Sequence, residues 1–364
     1  MLFALVIVII LIALLFDFFN GFNDAANSIA TIVSTRVLSP FQAVAWAAFW
    51  NFFAAFAFGT AVAKAISSDF VNLAAVGTPQ QQLFVILAGL VGATFWTYGC
   101  SMAGLPISVS HALISGYAGA ALARAGIDAL VLQQSKWPVT ILFIFVAPTI
   151  GMIGGALLMT AMAWLFRNFT PSRVDGWFRR LQLVSAGAFS LSHGTNDAQK
   201  TMGIIAVAVA TLGMTPQYAH VSGWLTPGWE PPWFAWFGAS HHMPWWIVLS
   251  CHFVIAMGTL LGGWRVVRTM GHGITRLQPV GGFCAETAGA TTVIGASLMG
   301  IPLSTTHVIT GAILGVGTTR GLRSVRWVAG RRILLAWLFT LPTSAFVAAV
   351  AYVVIHLTIE PWFG

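Results

Sequence analysis

Apolar residues gather in long runs, and short polar, often Arg-bearing, stretches separate them. A window reading places apolar runs at 2–33, 41–63, 83–99, 101–123, 139–166, 181–212, 246–264, 280–299, 302–319 and 333–357. Most are long enough for a helix to cross a ~30 Å hydrocarbon layer, which takes ~20 residues. The pattern predicts an all-α polytopic membrane protein.

The polar exceptions inside these runs come in pairs. Gly21-Phe22-Asn23-Asp24-Ala25 returns as Gly194-Thr195-Asn196-Asp197-Ala198. Gly104-Leu105-Pro106-Ile107-Ser108-Val109-Ser110-His111 returns as Gly300-Ile301-Pro302-Leu303-Ser304-Thr305-Thr306-His307. Two motifs repeated in the same order mark an internal duplication. Polar groups at membrane depth are costly, so the repeats are expected to share one buried site.

Charge sets the expected orientation. Arg167, Arg173, Arg179 and Arg180 fall in one short loop, Arg265, Arg268 and Arg276 in a second, and Arg320, Arg323, Arg326, Arg331 and Arg332 in a third. By the positive-inside rule these loops are cytoplasmic. Parity then puts Arg36 inside and both termini outside, and runs 2–33 and 181–212 cross in opposite senses. The expectation is an inverted-topology repeat: first repeat 1–166, short cytoplasmic linker 167–180, second repeat 181–364. An external Trp-rich loop at 213–245 (Trp224, Trp229, Trp233, Trp236) takes up the extra length of the second repeat.

Two features of local geometry are expected. A continuous helix over 2–33 would run ~48 Å, so Gly21 and Gly194 are read as points where helices break and restart, with Asn-Asp capping the second piece. The two Gly-x-Pro-x-Ser stretches are read as tips of re-entrant hairpins, because irregular backbone survives at depth where it lines a cavity.

Composition changes the picture only by exclusion. Hydrophobic residues are 58% of 364 and charged residues 7%, far below the ~25% of a soluble domain. The net charge of +8 sits in loops between apolar runs, so no nucleic-acid surface is implied. Cys100, Cys251 and Cys284 are isolated and predict neither disulfide nor zinc site. The first run lacks a basic leader and cleavage signal and is read as a retained helix.

The collected polar side chains are Asn23, Asp24, Asn27, Ser28, Ser108, Ser110, Asn196, Asp197, Gln199, Thr201, Ser304, Thr305 and Thr306. Hydroxyls, amides and helix N-termini suit a tetrahedral oxyanion. Asp24 and Asp197 would repel it in a medium of low dielectric, so cations must enter as well. Their oxygens suit Na⁺ or protons, which favours coupled uptake over an anion channel. An aspartyl dyad of the intramembrane protease kind would not need the Ser-rich partner strings, so the chain is read as no enzyme. Glu286 has no counterpart in the first half, where Leu90 holds the matching offset, and is a candidate for cation coupling. The chemistry of Lys200, His111 and His307 stays open.

Gly-Phe-Asn-Asp-Ala-Ala-Asn-Ser, His-Gly-Thr-Asn-Asp-Ala-Gln-Lys and the two Gly-x-Pro-x-Ser-x-[Ser/Thr]-His strings resemble the inorganic phosphate transporter family. The resemblance spans residue 19 to about 350, and Ala285-Glu286-Thr287 also fits. It implies a symporter of the plasma membrane (the inner membrane in a bacterium) moving inorganic phosphate with Na⁺ or H⁺. Some family members carry metal–phosphate complexes and a few carry sulfate. No bound cofactor is implied, and a homodimer in the lipid bilayer is. Asn23, Asn27, Ser108, Ser110, Asn196, Ser304, Thr305 and Thr306 would then hold substrate. Asp24, Asp197 and Glu286 would couple the cation, with Asp24 and Asp197 as Na⁺ ligands in a sodium-coupled protein. Many relatives carry a long hydrophilic segment between the halves; here 167–180 is short, so control through a cytoplasmic domain is not expected.

Overall fold

A computed structural model describes residues 1–57, 59–132, 136–226 and 243–363. Of the expected Trp-rich loop, Trp229, Trp233 and Trp236 lie outside the described residues. Among the described residues the chain is helical, with one isolated bridge between Val71 and Leu130.

The first half holds α1 (Leu2–Ser34), α2 (Pro40–Phe53), α3 (Ala61–Ser68), α4 (Leu73–Val76), α5 (Pro79–Met102), α6 (Val109–Ala125) and α7 (Trp137–Leu165). The second holds α8 (Pro171–Gly213), α9 (Trp245–Leu261), α10 (Trp264–Gly273), α11 (Pro279–Leu298), α12 (Thr305–Thr318) and α13 (Trp327–Thr358). Proline at the first helical position starts α2, α5, α8 and α11, where its missing N–H costs nothing. Ser39 with Gln42, and Thr78 with Gln81, add capping boxes.

Among the described residues, four helical segments are long and apolar enough to cross a membrane: α1, α5, α7 and 327–362. Two further spans result if each bent pair counts as one: α2 with α3, bent by 81°, and α9 with α10, bent by 71°. Outward faces carry Leu11, Phe145, Leu157 and Phe346, each more than half exposed, as suits contact with lipid.

The expected breaks at Gly21 and Gly194 are absent. Both α1 and α8 stay helical through their Asn-Asp pairs, and the sharp bends fall in their neighbours. The glycines serve another purpose. A Cβ on Gly21 would strike the Ile255 carbonyl of α9, and one on Gly194 would lie 2.7 Å from the Asn51 carbonyl of α2. They let a neighbouring helix backbone approach, the usual work of small residues between membrane helices. Excess length in α8 is accounted for by its first ten residues, a largely exposed segment with an Arg179–Asp175 pair at 2.8 Å.

Packing between the halves is exchanged. α7 lies on α12, and α13 lies on α6. Gly151 and Gly155 of α7 face the Val308 and Ala312 carbonyls, while Gly311 and Gly315 of α12 face the Pro148 and Met152 carbonyls. On the other side Gly119 of α6 meets Ala345, and Ser344 Oγ donates to the Ala112 carbonyl at 2.7 Å. Likewise α1 packs on α9 and α10, and α8 on α2 and α3.

Candidate transport site

The two hairpins place their tips against each other. At each tip a glycine takes the left-handed conformation, Gly104 with φ 67° and Gly300 with φ 65°, and turns the chain from α5 or α11 into an extended Pro-containing stretch. Ser108 and Ser304 then cap the next helix, their hydroxyls accepting from His111 N at 3.2 Å and His307 N at 3.3 Å. The first-turn N–H groups of Val109, Ser110, Thr305 and Thr306 have no intrahelical acceptor. Ser110 Oγ donates to the Leu303 carbonyl at 3.3 Å, tying one tip to the other. The rings of His111 and His307 meet edge to face with centroids 5.1 Å apart, and Trp337 lies 3.9 Å from His307.

The two Asn-Asp motifs are brought together at these tips. Asn23 Nδ2 donates to Ser101 Oγ at 2.8 Å, and Asn196 Nδ2 donates to Ser297 Oγ at the same distance. Both Oδ1 atoms remain without a partner among the described residues. Asn27 Nδ2 donates to Thr306 Oγ1 at 2.9 Å. The Thr305 and Thr306 hydroxyls each donate to the Asp24 carboxylate at 3.3 Å. Asp197 Oδ1 holds Lys200 Nζ at 2.6 Å. All of these side chains are buried.

His193, part of a motif string but given no role from sequence, stands between the acids. Its Nε2 is 3.6 Å from Asp24 Oδ2 and 3.6 Å from Asp197 Oδ2. The three groups lie close enough to hold one metal ion. Asn51 sets the ring: its Nδ2 donates to Thr259 Oγ1 at 2.9 Å, so its Oδ1, 3.1 Å from His193 Nδ1, accepts there. Nδ1 therefore carries a proton, and Nε2 faces two carboxylates. A cation in the gap would relieve that crowding. Two signals in the sequence point here. His193 is four residues before Asp197, one turn away on the same face. Asn51 is an amide in the middle of an apolar run.

The remaining expected residues are placed as follows. Glu286 is buried but belongs to another cluster, accepting from Thr31 Oγ1 at 2.5 Å, Gln182 Nε2 at 3.0 Å and Ser185 Oγ at 2.5 Å. Thr31 sits two turns beyond Asp24 on α1, so this cluster is a neighbour of the central site, and Glu286 bonds none of its residues among those described. Gln199 bonds the Val62 N–H and the Gly59 carbonyl at 2.9 and 2.6 Å, which holds the α2–α3 bend. Asp17, fully buried, has no hydrogen-bond partner for either carboxylate oxygen among the described residues; Thr201 and Asn20 flank it.

Comparison with known proteins follows this geometry. Residues 20–348 match the phosphate transporter family. The chain is 47% identical over 350 residues to a protein of Rhizobium meliloti described as a probable low-affinity inorganic phosphate transporter, covering 96% of each chain. It is 38% identical to the Bacillus subtilis protein of the same description, covering 97% of this chain and 98% of that one. A solved structure described as the sodium-dependent phosphate transporter matches with a TM-score of 0.78 and 25% identity, over 98% of this chain and 100% of that one. These relatives are transporters rather than enzymes, and the chain, a multi-pass membrane protein, belongs to the phosphate transporter family.

Proposed function

We propose that this chain is a symporter that imports inorganic phosphate together with Na⁺ or H⁺ by alternating access. The observation that carries the reading is the convergence of Asp24, Asp197 and His193 beneath two helix N-termini. The N–H groups at the starts of α6 and α12, with the second amide hydrogens of Asn23 and Asn196, form the anion side. The carboxylates form the cation side. Neither ion is stable there without the other, because phosphate alone would meet two acids and a cation alone would leave the N–H groups unpaired. That mutual dependence is coupling. A channel would need no such pairing.

In this reading the halves are an inverted repeat, 1–166 and 181–364, about a site at mid-membrane depth. Matched bonds support it: Asn23 to Ser101 in one half, Asn196 to Ser297 in the other. At ~1.5 Å per residue α6 and α12 reach about 26 and 21 Å, short of a full crossing, which supports re-entrant hairpins. Arg179 donates to the Arg36 carbonyl at 3.0 Å, supporting one face for both Arg-bearing segments and hence external termini. The protein acts in the plasma membrane as a homodimer, with Glu286 relaying the cation. A divalent metal carried with phosphate would find its ligands at Asp24, His193 and Asp197. Sulfate transport is the nearest rival within the family.

Uptake into proteoliposomes tests this. Labelled phosphate should accumulate under an imposed sodium or proton gradient and stop when that gradient is collapsed. Accumulation of sulfate but not phosphate, or phosphate flux indifferent to both gradients, would overturn it.

A further inference from the structure

Matched positions of the two halves make matched contacts, with one exception in chemistry. Four residues after Asn23 comes Asn27, and four after Asn196 comes Lys200. Each reaches across to the other half's hairpin tip and bonds the hydroxyl at the same motif position: Asn27 to Thr306, Lys200 to Ser110. One half thus presents a neutral amide where the other presents an ammonium.

The surroundings of that ammonium are those of a metal ion. Lys200 Nζ is held by Asp197 Oδ1 at 2.6 Å, by the Leu303 carbonyl at 3.1 Å and by Ser110 Oγ. Carboxylate, main-chain carbonyl and hydroxyl oxygen are the hard ligands that alkali cations take at transporter midpoints. The side chain is 2% exposed. Buried charges are as a rule paired and hydrogen-bonded, and this side chain has three oxygen partners.

We infer that Lys200 is a tethered cation, filling the second-half position that a co-transported ion would otherwise occupy. This rests on the symport reading of the same site. Asp197 divides its oxygens, Oδ1 to the fixed ammonium and Oδ2 to the space shared with Asp24 and His193. Only that shared space takes a travelling cation. The pocket starts one positive charge ahead, so each phosphate needs one cation fewer than in a chain with Asn at both positions. The ammonium stays behind when the substrate leaves.

The test is Lys200→Asn, which makes the second half match the first, with Lys200→Gln as a second variant and Lys200→Arg as the charge-retaining control. In proteoliposomes the cation-to-phosphate ratio is read from reversal potentials under separate sodium and proton gradients. In detergent, phosphate affinity is titrated against sodium concentration and against pH, which needs no transport. The expected result is that Lys200→Asn and Lys200→Gln raise the ratio by one. The slope of log affinity against log cation, for Na⁺ or H⁺, should rise by about one, while Lys200→Arg keeps both at wild-type values. An unchanged slope in both neutral variants, eluting as monodisperse protein, overturns the inference, as does an arginine variant that behaves like them. If the wild-type protein neither binds nor moves phosphate, the symport reading itself has failed, a separate outcome.

Discussion

Asp24 and Asp197, which stand 173 positions apart in the chain, aim their Oδ2 atoms at one nitrogen, His193 Nε2, from 3.6 Å each. Removing either charge leaves the shared space short of a cation ligand. Asp24→Asn and Asp197→Asn should each reduce gradient-driven phosphate accumulation by at least about a hundredfold, since roughly 3 kcal/mol is a typical loss for a buried charge partner. Surface abundance should stay near wild type. Uptake at the wild-type rate with unchanged cation dependence in either variant would remove that residue from the coupling role.

Asn51 touches neither acid, yet it determines which nitrogen of His193 faces them. Asn51→Ala should weaken apparent cation affinity by roughly 10–100-fold, the usual cost of losing a group that orients a ligand histidine. The maximal rate at saturating cation should change much less. Cation titration of phosphate uptake reads both quantities. A fall in maximal rate with the cation midpoint unmoved would count against the orienting role.

Glu286 is satisfied by three neutral donors and sits apart from the paired acids. If it relays the cation, Glu286→Gln should leave phosphate exchange across the membrane largely intact while net uphill uptake falls at least tenfold. Exchange and net uptake can be measured on the same vesicles. Equal loss of both would make Glu286 a structural residue.

Gly21 and Gly311 lie against the carbonyls of Ile255 and Pro148, with no room for a methyl group. Gly21→Ala and Gly311→Ala should each destabilise the protein by about 1–3 kcal/mol, the cost of overpacking, seen as a lower melting midpoint in detergent. Gly99→Ala is the control, because nothing lies within 4 Å of its Cβ position. Equal midpoints for all three would show that these helices separate freely.

The convergence of the candidate residues was largely legible because polar residues stand out against apolar runs. Asn23, Asp24, Asn196, Asp197 and the hairpin hydroxyls were found that way, and the repetition of their order paired them. The helix breaks were misread for a reason that is also physical. Glycine before Asn-Asp signals a stop when only local chain is considered, but at Gly21 and Gly194 the absent side chain makes space for another helix. That partner is remote in sequence and invisible to spacing. The same limit hid His193, whose significance depends on Asp24 arriving from α1, and Asn51, whose partner Thr259 lies 208 positions away. Lys200 was visible as a charge. Only its contacts reveal that it bonds where Asn27 bonds in the other half.

The exchanged clasp of α7 on α12 and α13 on α6 bears on how the molecule is made. A ribosome releases α13 long after α6, so the N-terminal hairpin waits, uncovered on that flank, until α13 emerges. Its serine tip is therefore completed only once α13 has been made, and a product cut short before α13 would lack the support for α6 even with every N-terminal motif present.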